Sequence, residues 1–194
     1  NVPIVNLTVM RESMGRVADE ETLHGGETGP AELGGVGAFF VDPAPVTGLG
    51  ATCREILDTV PSWFGIPAAN DAYVAFVDHH DTWIAYSAQE EPIGLISGQL
   101  HFPETAEIEI MAVRPEWHRL GVGRALVDVF EAHHRRLGTR LLEVKTLGPS
   151  HADEGYRATR TFYTGIGFIP VEELWIWGPD NPALILCKPI TTPE

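Results

Sequence analysis

Glu107 and Glu109 stand two residues apart in the run Glu107-Ile-Glu-Ile-Met-Ala-Val113. Residues two apart on a strand share a face. The alternation therefore predicts both carboxylates on one side, with Ile108 and Ile110 on the other. Neighbouring carboxylates raise each other's proton affinity. A carboxylate so placed is a candidate general base that deprotonates an ammonium nucleophile, directly or through a water. The competing reading is a solvated strand face without chemistry.

Past the break Arg114-Pro115-Glu116, the strand leads into His118-Arg119-Leu120-Gly121-Val122-Gly123-Arg124, where the second glycine opens a helix. The first N–H groups of a helix lack internal acceptors, and the helix dipole draws anions to that end. Glycines there let a ligand approach the backbone closely. With Arg119 and Arg124 adding positive charge, the backbone from Leu120 through Gly121, Val122 and Gly123 to Arg124 reads as a pyrophosphate cradle. The plainer alternative is a tight turn meeting a helix. A dinucleotide fingerprint is excluded because position 126 is Leu where a third glycine is needed. A Walker A loop is excluded because no Gly-Lys-Ser/Thr occurs. No two histidines are four apart, so no metal is expected. Cys53 and Cys187 have no CxxC partner and read as small hydrophobes. His133 reads as a packed or edge histidine.

The elements that must position these residues follow from pattern and punctuation. Helices are predicted from Ala51 or Thr52 through 54–60, stopped by Pro61, and over 68–77, opened by Pro67. Strands are predicted over 83–87, 93–100 and 107–113, the first two as a hairpin. A helix with the apolar stripe Val122, Leu126, Val129, Phe130 and Leu137 follows and ends at Gly138. A strand over 140–145, a helix over 156–164 and strands over 168–175 and 183–188 complete the chain. The fold class is α/β, a central mixed sheet flanked by helices, with a strand-loop-helix unit at its centre. Residues 1–49, rich in Gly and Glu, read as an N-terminal arm with short strands at 4–9 and 36–41; the domain spans 50–190 and a tail 191–194.

The whole chain has 194 residues, with 13 Lys+Arg against 27 Asp+Glu, a net charge of −14. The imbalance is local: residues 1–113 hold three basic and 17 acidic residues, whereas 114–160 hold nine basic and six acidic. The acidity argues against nucleic-acid and anionic-membrane partners, and no apolar run approaches the roughly 20 residues of a membrane helix. The opening NVPIVNLTVMRES lacks a basic n-region and a long apolar h-region, and two free thiols suit a reducing compartment, so a cytoplasmic location is expected. The acidic part suggests a cationic acceptor such as a polyamine, an aminoglycoside-like compound or a peptide amine.

The run His118-Arg119-Leu120-Gly121-Val122-Gly123 resembles the cofactor motif of the GNAT superfamily of N-acetyltransferases, Gln/Arg-x-x-Gly-x-Gly/Ala, with His118 at the first position. Tyr163-Thr-Gly-Ile-Gly167-Phe168 is similar to the family's Tyr-x-x-x-Gly-Phe. The segments Pro61–Pro67 and Lys145–Ser150, with Tyr156, Trp177 and Asn181-Pro182, resemble an uncharacterised bacterial branch. The resemblance covers about residues 50–190. It implies the GNAT acyl-CoA-binding fold, acetyl-CoA as co-substrate and transfer to a primary amine of a small molecule or peptide by direct attack. It further implies that the backbone of Met111, Ala112 and Val113 pairs with the pantetheine arm, and that the amide near Met111 polarises the acetyl carbonyl. Tyr163 becomes the general acid for the CoA thiolate. Glu107 matches the catalytic Glu of some histone acetyltransferases in the superfamily and stands ahead of Glu109. Tyr156 sits where many members carry an Asn that contacts the cofactor. Trp63, Phe64 and Trp83 are candidates for the acceptor pocket. A non-catalytic acyl-CoA-binding module is the alternative function. The arm is read either as a partner-docking element or as one that swaps between copies, which would make the protein a homodimer.

Overall fold

The computed structural model describes residues 38–190. The element order is β1 (Phe39–Val41), α1 (Gly50–Leu57), α2 (Pro67–His79), β2 (Thr82–Ser87), β3 (Pro92–Phe102), β4 (Thr105–Val113), a 3-10 turn (Pro115–Trp117), α3 (Val122–Arg136), β5 (Leu141–Leu147), α4 (Glu154–Gly165), β6 (Ile169–Leu174) and β7 (Ala183–Pro189). The strands form one mixed sheet in the order β1-β2-β3-β4-β5-β7-β6. Every neighbouring pair is antiparallel except β4–β5. The mixed α/β class expected from the sequence is the one observed. Residues 39–41, assigned to the arm, pair with β2 at the sheet edge. The strand expected at 4–9 lies outside the described residues.

Helices cover both faces of the sheet's centre. One face packs Ala106, Ile108, Leu142 and Val144 against Leu126 and Phe130 of α3 and Tyr163 of α4. The other packs Leu95, Ile110 and Ala112 against Cys53, Ile56 and Leu57 of α1 and Val77 of α2. Trp83 is fully buried beside Phe130, so it is a core residue and no part of an acceptor pocket. Burial pushes the Cys53 thiol up to about 12, in keeping with a packed hydrophobe.

The stripe of α3 departs from expectation at its end. Leu126, Val127, Phe130 and His134 are buried, Val129 is only half-buried and Leu137 is exposed. The helical period demands a buried residue four after Phe130, and His134 fills that place despite its polarity. Leu137 lies past the last turn as the C-cap, so no neighbour covers it.

β4 does not alternate uniformly. Ser97 opposes Ile110 while Gly98 opposes Ile108, so Glu109 is an extra residue, a β-bulge. The bulge reverses the alternation. Ile108 belongs to the α3–α4 face and Ile110 to the α1–α2 face, so the expectation that they share a side is corrected. Gly98 allows this close approach: a Cβ there would collide with the Glu107 carbonyl and come within 2.7 Å of the Phe130 ring.

Candidate active site

The site begins where the one parallel ladder stops. β4 and β5 pair from Thr105↔Leu141 to Ile108↔Val144 and no further, although β4 continues to Val113 and β5 to Leu147. Past that point the strands separate and leave a cavity of about 1430 Å³. Its walls come from both faces of the sheet: Phe64 and Tyr73 on the α2 side, Gly123 and Phe162 on the α3–α4 side. The cavity therefore passes between the strands, and one ligand can enter from each face.

The backbone of β4 is turned toward this gap. The Arg114 amide donates to the Ile93 carbonyl at 2.8 Å, and hydrogen-bonded pairs alternate along an antiparallel ladder. Counting back, Ala112 exchanges hydrogen bonds with its partner Leu95, whereas the amides and carbonyls of Met111 and Val113 point away from β3, into the cleft. The Val113 carbonyl accepts a 2.7 Å hydrogen bond from His118 Nε2. That bond, with the edge-on contact of His118 to Trp63 at 5.8 Å, ties the loop after β4 to the 61–66 segment. His118 is thus a brace between two walls of the cavity.

The cradle loop holds two residues in the left-handed region, Arg119 at φ 62° and Gly121 at φ 92°. Positive φ is strained for arginine and free for glycine. Such residues turn successive N–H groups toward one side and form an anion-binding concavity. Gly121 is the N-cap of α3, and a Cβ built there meets nothing within 4 Å, so the space over the helix start is open. Arg119 is exposed and has no ion pair or hydrogen-bond partner among the described residues. Arg124 stands 3.9 Å from Asp128 with both side chains well exposed. The Leu120 side chain is exposed and that of Val122 is buried under α3, so these two offer only their backbone. An open helix start, left-handed loop residues and two available cations fit a pyrophosphate-bearing ligand such as acetyl-CoA. Among the described residues no group of His, Cys, Asp and Glu is arranged to hold a metal.

The two carboxylates have different surroundings. Glu107 is buried, accepts from Lys145 Nζ at 2.6 Å and pairs with His101; Lys145 also pairs with Glu143 at 2.6 Å. Glu107 is not on the cavity wall, but Glu109 is. Burial raises the Glu109 pKa above the ordinary carboxylate value, and the charge of Glu107 adds to the rise. The bulge turns Glu109, the second candidate from the sequence, to the cavity, while Glu107, the first, is held in an ion network.

Tyr163 is buried, lines the cavity, and packs its ring on Phe162 at 5.1 Å and Phe168 at 5.3 Å. Its hydroxyl has no hydrogen-bond partner among the described residues, and burial holds its phenol above the usual value. Tyr156 donates to the Trp63 carbonyl at 3.2 Å. Its phenol is pushed up to about 12 by burial and then by Asp153. Its place near the α4 start follows from Asp153, which caps that helix by accepting from the Gly155 and Tyr156 amides.

Several residues that line the cavity were given no role in the sequence reading. Tyr73 faces Glu109 and Tyr156, and burial, then Glu109, raises its phenol pKa. Asn70, one helical turn earlier, is fixed by its Nδ2 bond to the Phe64 carbonyl at 2.7 Å. The i, i+3 pair Asn70/Tyr73 just after an aromatic loop was the available signal. Lys145, Trp177 and Asn181, noted only for their resemblance to a bacterial branch, also reach the cavity wall.

Comparison with known proteins adds the following. Residues 78–170 match the family model of the acetyltransferase (GNAT) domain. A putative GNAT acetyltransferase from Desulfovibrio desulfuricans shares 21% identity over 78% of this chain and 98% of its own, with a TM-score of 0.66. The ribosomal-protein-S18-alanine N-acetyltransferase of Escherichia coli shares 16% over 81% and 97%, with a TM-score of 0.63. A GNAT acetyltransferase from Elizabethkingia anophelis, solved with acetyl-CoA bound, shares 17% over 78% and 98%, with a TM-score of 0.57. No curated protein matches the sequence.

Proposed function

The chain belongs to the GNAT superfamily of acetyltransferases, and from that premise we propose that it moves the acetyl group of acetyl-CoA to a primary amine by direct attack. The observation that carries this reading is the cavity between β4 and β5: an anion cradle on the α3 side, a carboxylate with raised proton affinity on the α2 side, and on its wall the phenol of Tyr163, without a hydrogen-bond partner among the described residues.

Acetyl-CoA supplies the activated thioester. Val122, Gly123 and Arg124 amides, with the Arg119 guanidinium, bind its pyrophosphate at the open start of α3. The Met111 amide, directed into the cleft, donates to the developing oxyanion. Glu109 takes a proton from the incoming ammonium group, and its raised pKa makes it a better match to that task than an ordinary carboxylate. The amine nitrogen then bonds to the acetyl carbon, the C–S bond breaks, and the nitrogen's surplus proton leaves to solvent, from which Tyr163 is reprotonated after its own transfer. Tyr163 gives its proton to the departing thiolate, and its elevated pKa keeps it protonated until then.

Isothermal titration with acetyl-CoA, followed by thiol release against an amine panel, tests the reading. Binding followed by amine-dependent release is expected. Binding with no release for any amine would favour a non-catalytic acyl-CoA-binding module, and absence of binding would sink both.

A further inference from the structure

The acceptor half of the cavity has a composition that narrows the substrate. Net acidity in the first 113 residues suggested a cationic acceptor, a polyamine among the examples, but among the described residues little of that charge lines the cavity. Among the described residues of the wall the carboxylates are Glu109 and Asp153 alone, and the Asp153 side chain already caps α4 through two backbone amides. Lys145, whose charge acts on Glu109, is held by Glu107 and Glu143. One carboxylate is therefore available to an ammonium group on this side. The surrounding surface is aromatic, supplied by Trp63, Phe64, Tyr73, Tyr156 and Trp177. Asn70 is 7% exposed and spends its Nδ2 on the Phe64 carbonyl. Its Oδ1 is a buried acceptor without a donor among the described residues.

Resting on the acetyl-transfer reading above, we infer that the acceptor is a monocationic primary amine on an apolar body the size of an aromatic ring, with its nitrogen at Glu109 and its body against the Trp63–Phe64–Tyr73 wall. An ammonium group has three donors, and Asn70 Oδ1, on the wall of the same cavity, offers a second acceptor besides the carboxylate. An aromatic body gains from burial and ring contact. A polyamine would place its second and third charges against the same aromatic surface without a counter-ion, where desolvation opposes binding. Cation–π attraction to the rings offsets only part of that cost.

The test titrates the full chain, saturated with CoA, with 2-phenylethylamine and with spermidine, read by tryptophan fluorescence and calorimetry; thioester consumption is measured separately for each amine. Phenylethylamine is expected to bind at least about tenfold more tightly than spermidine. Trp63→Ala and Glu109→Gln are each expected to weaken it about fivefold or more. Equal or tighter spermidine binding, binding of neither amine, or spermidine turned over more efficiently than phenylethylamine overturns the inference. Phenylethylamine bound with the expected preference but never acetylated supports the inference and sinks the acetyl-transfer reading instead. The comparison of the two amines on the parent chain decides the matter even if a variant does not fold.

Discussion

Two carboxylates, one inside an ion network and one on a cavity wall, divide the labour at the residue scale. The sequence placed them side by side and could not tell their surroundings apart, because the bulge that separates them leaves no mark in the strand's alternation. Glu109→Gln should lower kcat/KM by about a hundredfold or more. It should also remove the acid limb of the pH profile, which in the parent falls as pH drops through the raised Glu109 pKa. A pH–rate series on both proteins checks this. Tyr163→Phe should lower kcat by about tenfold or more while leaving the acetyl-CoA dissociation constant unchanged, as single-turnover and binding measurements would read. His134 makes a third residue-scale prediction. It is buried, neither ring nitrogen has a hydrogen-bond partner among the described residues, and burial depresses its pKa from 6.5 to about 4. The unfolded chain binds that proton more readily than the folded one. The neutral ring therefore contributes full stability above pH 6.5 and loses it as pH falls toward 4, a change on the order of 3 kcal/mol. Urea unfolding at pH 7 and pH 4.5 should show a smaller acid loss in His134→Leu than in the parent.

At the scale of elements, the strand-loop-helix from β4 to α3 was legible because its signals are local. Alternating isoleucines, the Arg114-Pro115 break, two glycines and a 3.6-residue stripe each act over a few residues. The start of α4 was placed two residues late, since its cap is the Asp153 side chain rather than an apolar residue. Trp83 was read as a pocket residue because an aromatic's type does not reveal which face of a doubly covered sheet it meets. Tyr73 and Asn70 escaped for a related reason: their importance comes from β4, dozens of residues away. The cradle itself yields a prediction. Gly121 holds φ at 92°, and a Cβ there meets open space, so Gly121→Ala pays backbone strain of about 1 kcal/mol without a steric clash. The added methyl group projects over the helix start, and calorimetry should show acetyl-CoA binding weakened by about tenfold, beyond what a shift in stability explains.

For the whole molecule, charge is partitioned rather than merely abundant. Available cations cluster at the α3 end of the cavity and one carboxylate stands at the α2 end. The net charge of −14 reports the surface more than the site. Acetyl-CoA touches residues from both faces of the sheet in this reading, so it should raise the unfolding midpoint, by about 2.7 kcal/mol of stability at a hundred times its dissociation constant. The parallel ladder, which stops at Ile108 and Val144, has a mechanical consequence. It is a four-pair seam between two antiparallel rafts, β1–β4 and β5–β7. The rungs missing beyond it belong to the Met111 and Val113 amides, and a pantetheine arm laid in the gap would act as a removable strand. Loading the enzyme then closes the sheet and product release unzips it, so the slowest amides to exchange their hydrogens in the loaded protein should be among the first in the empty one.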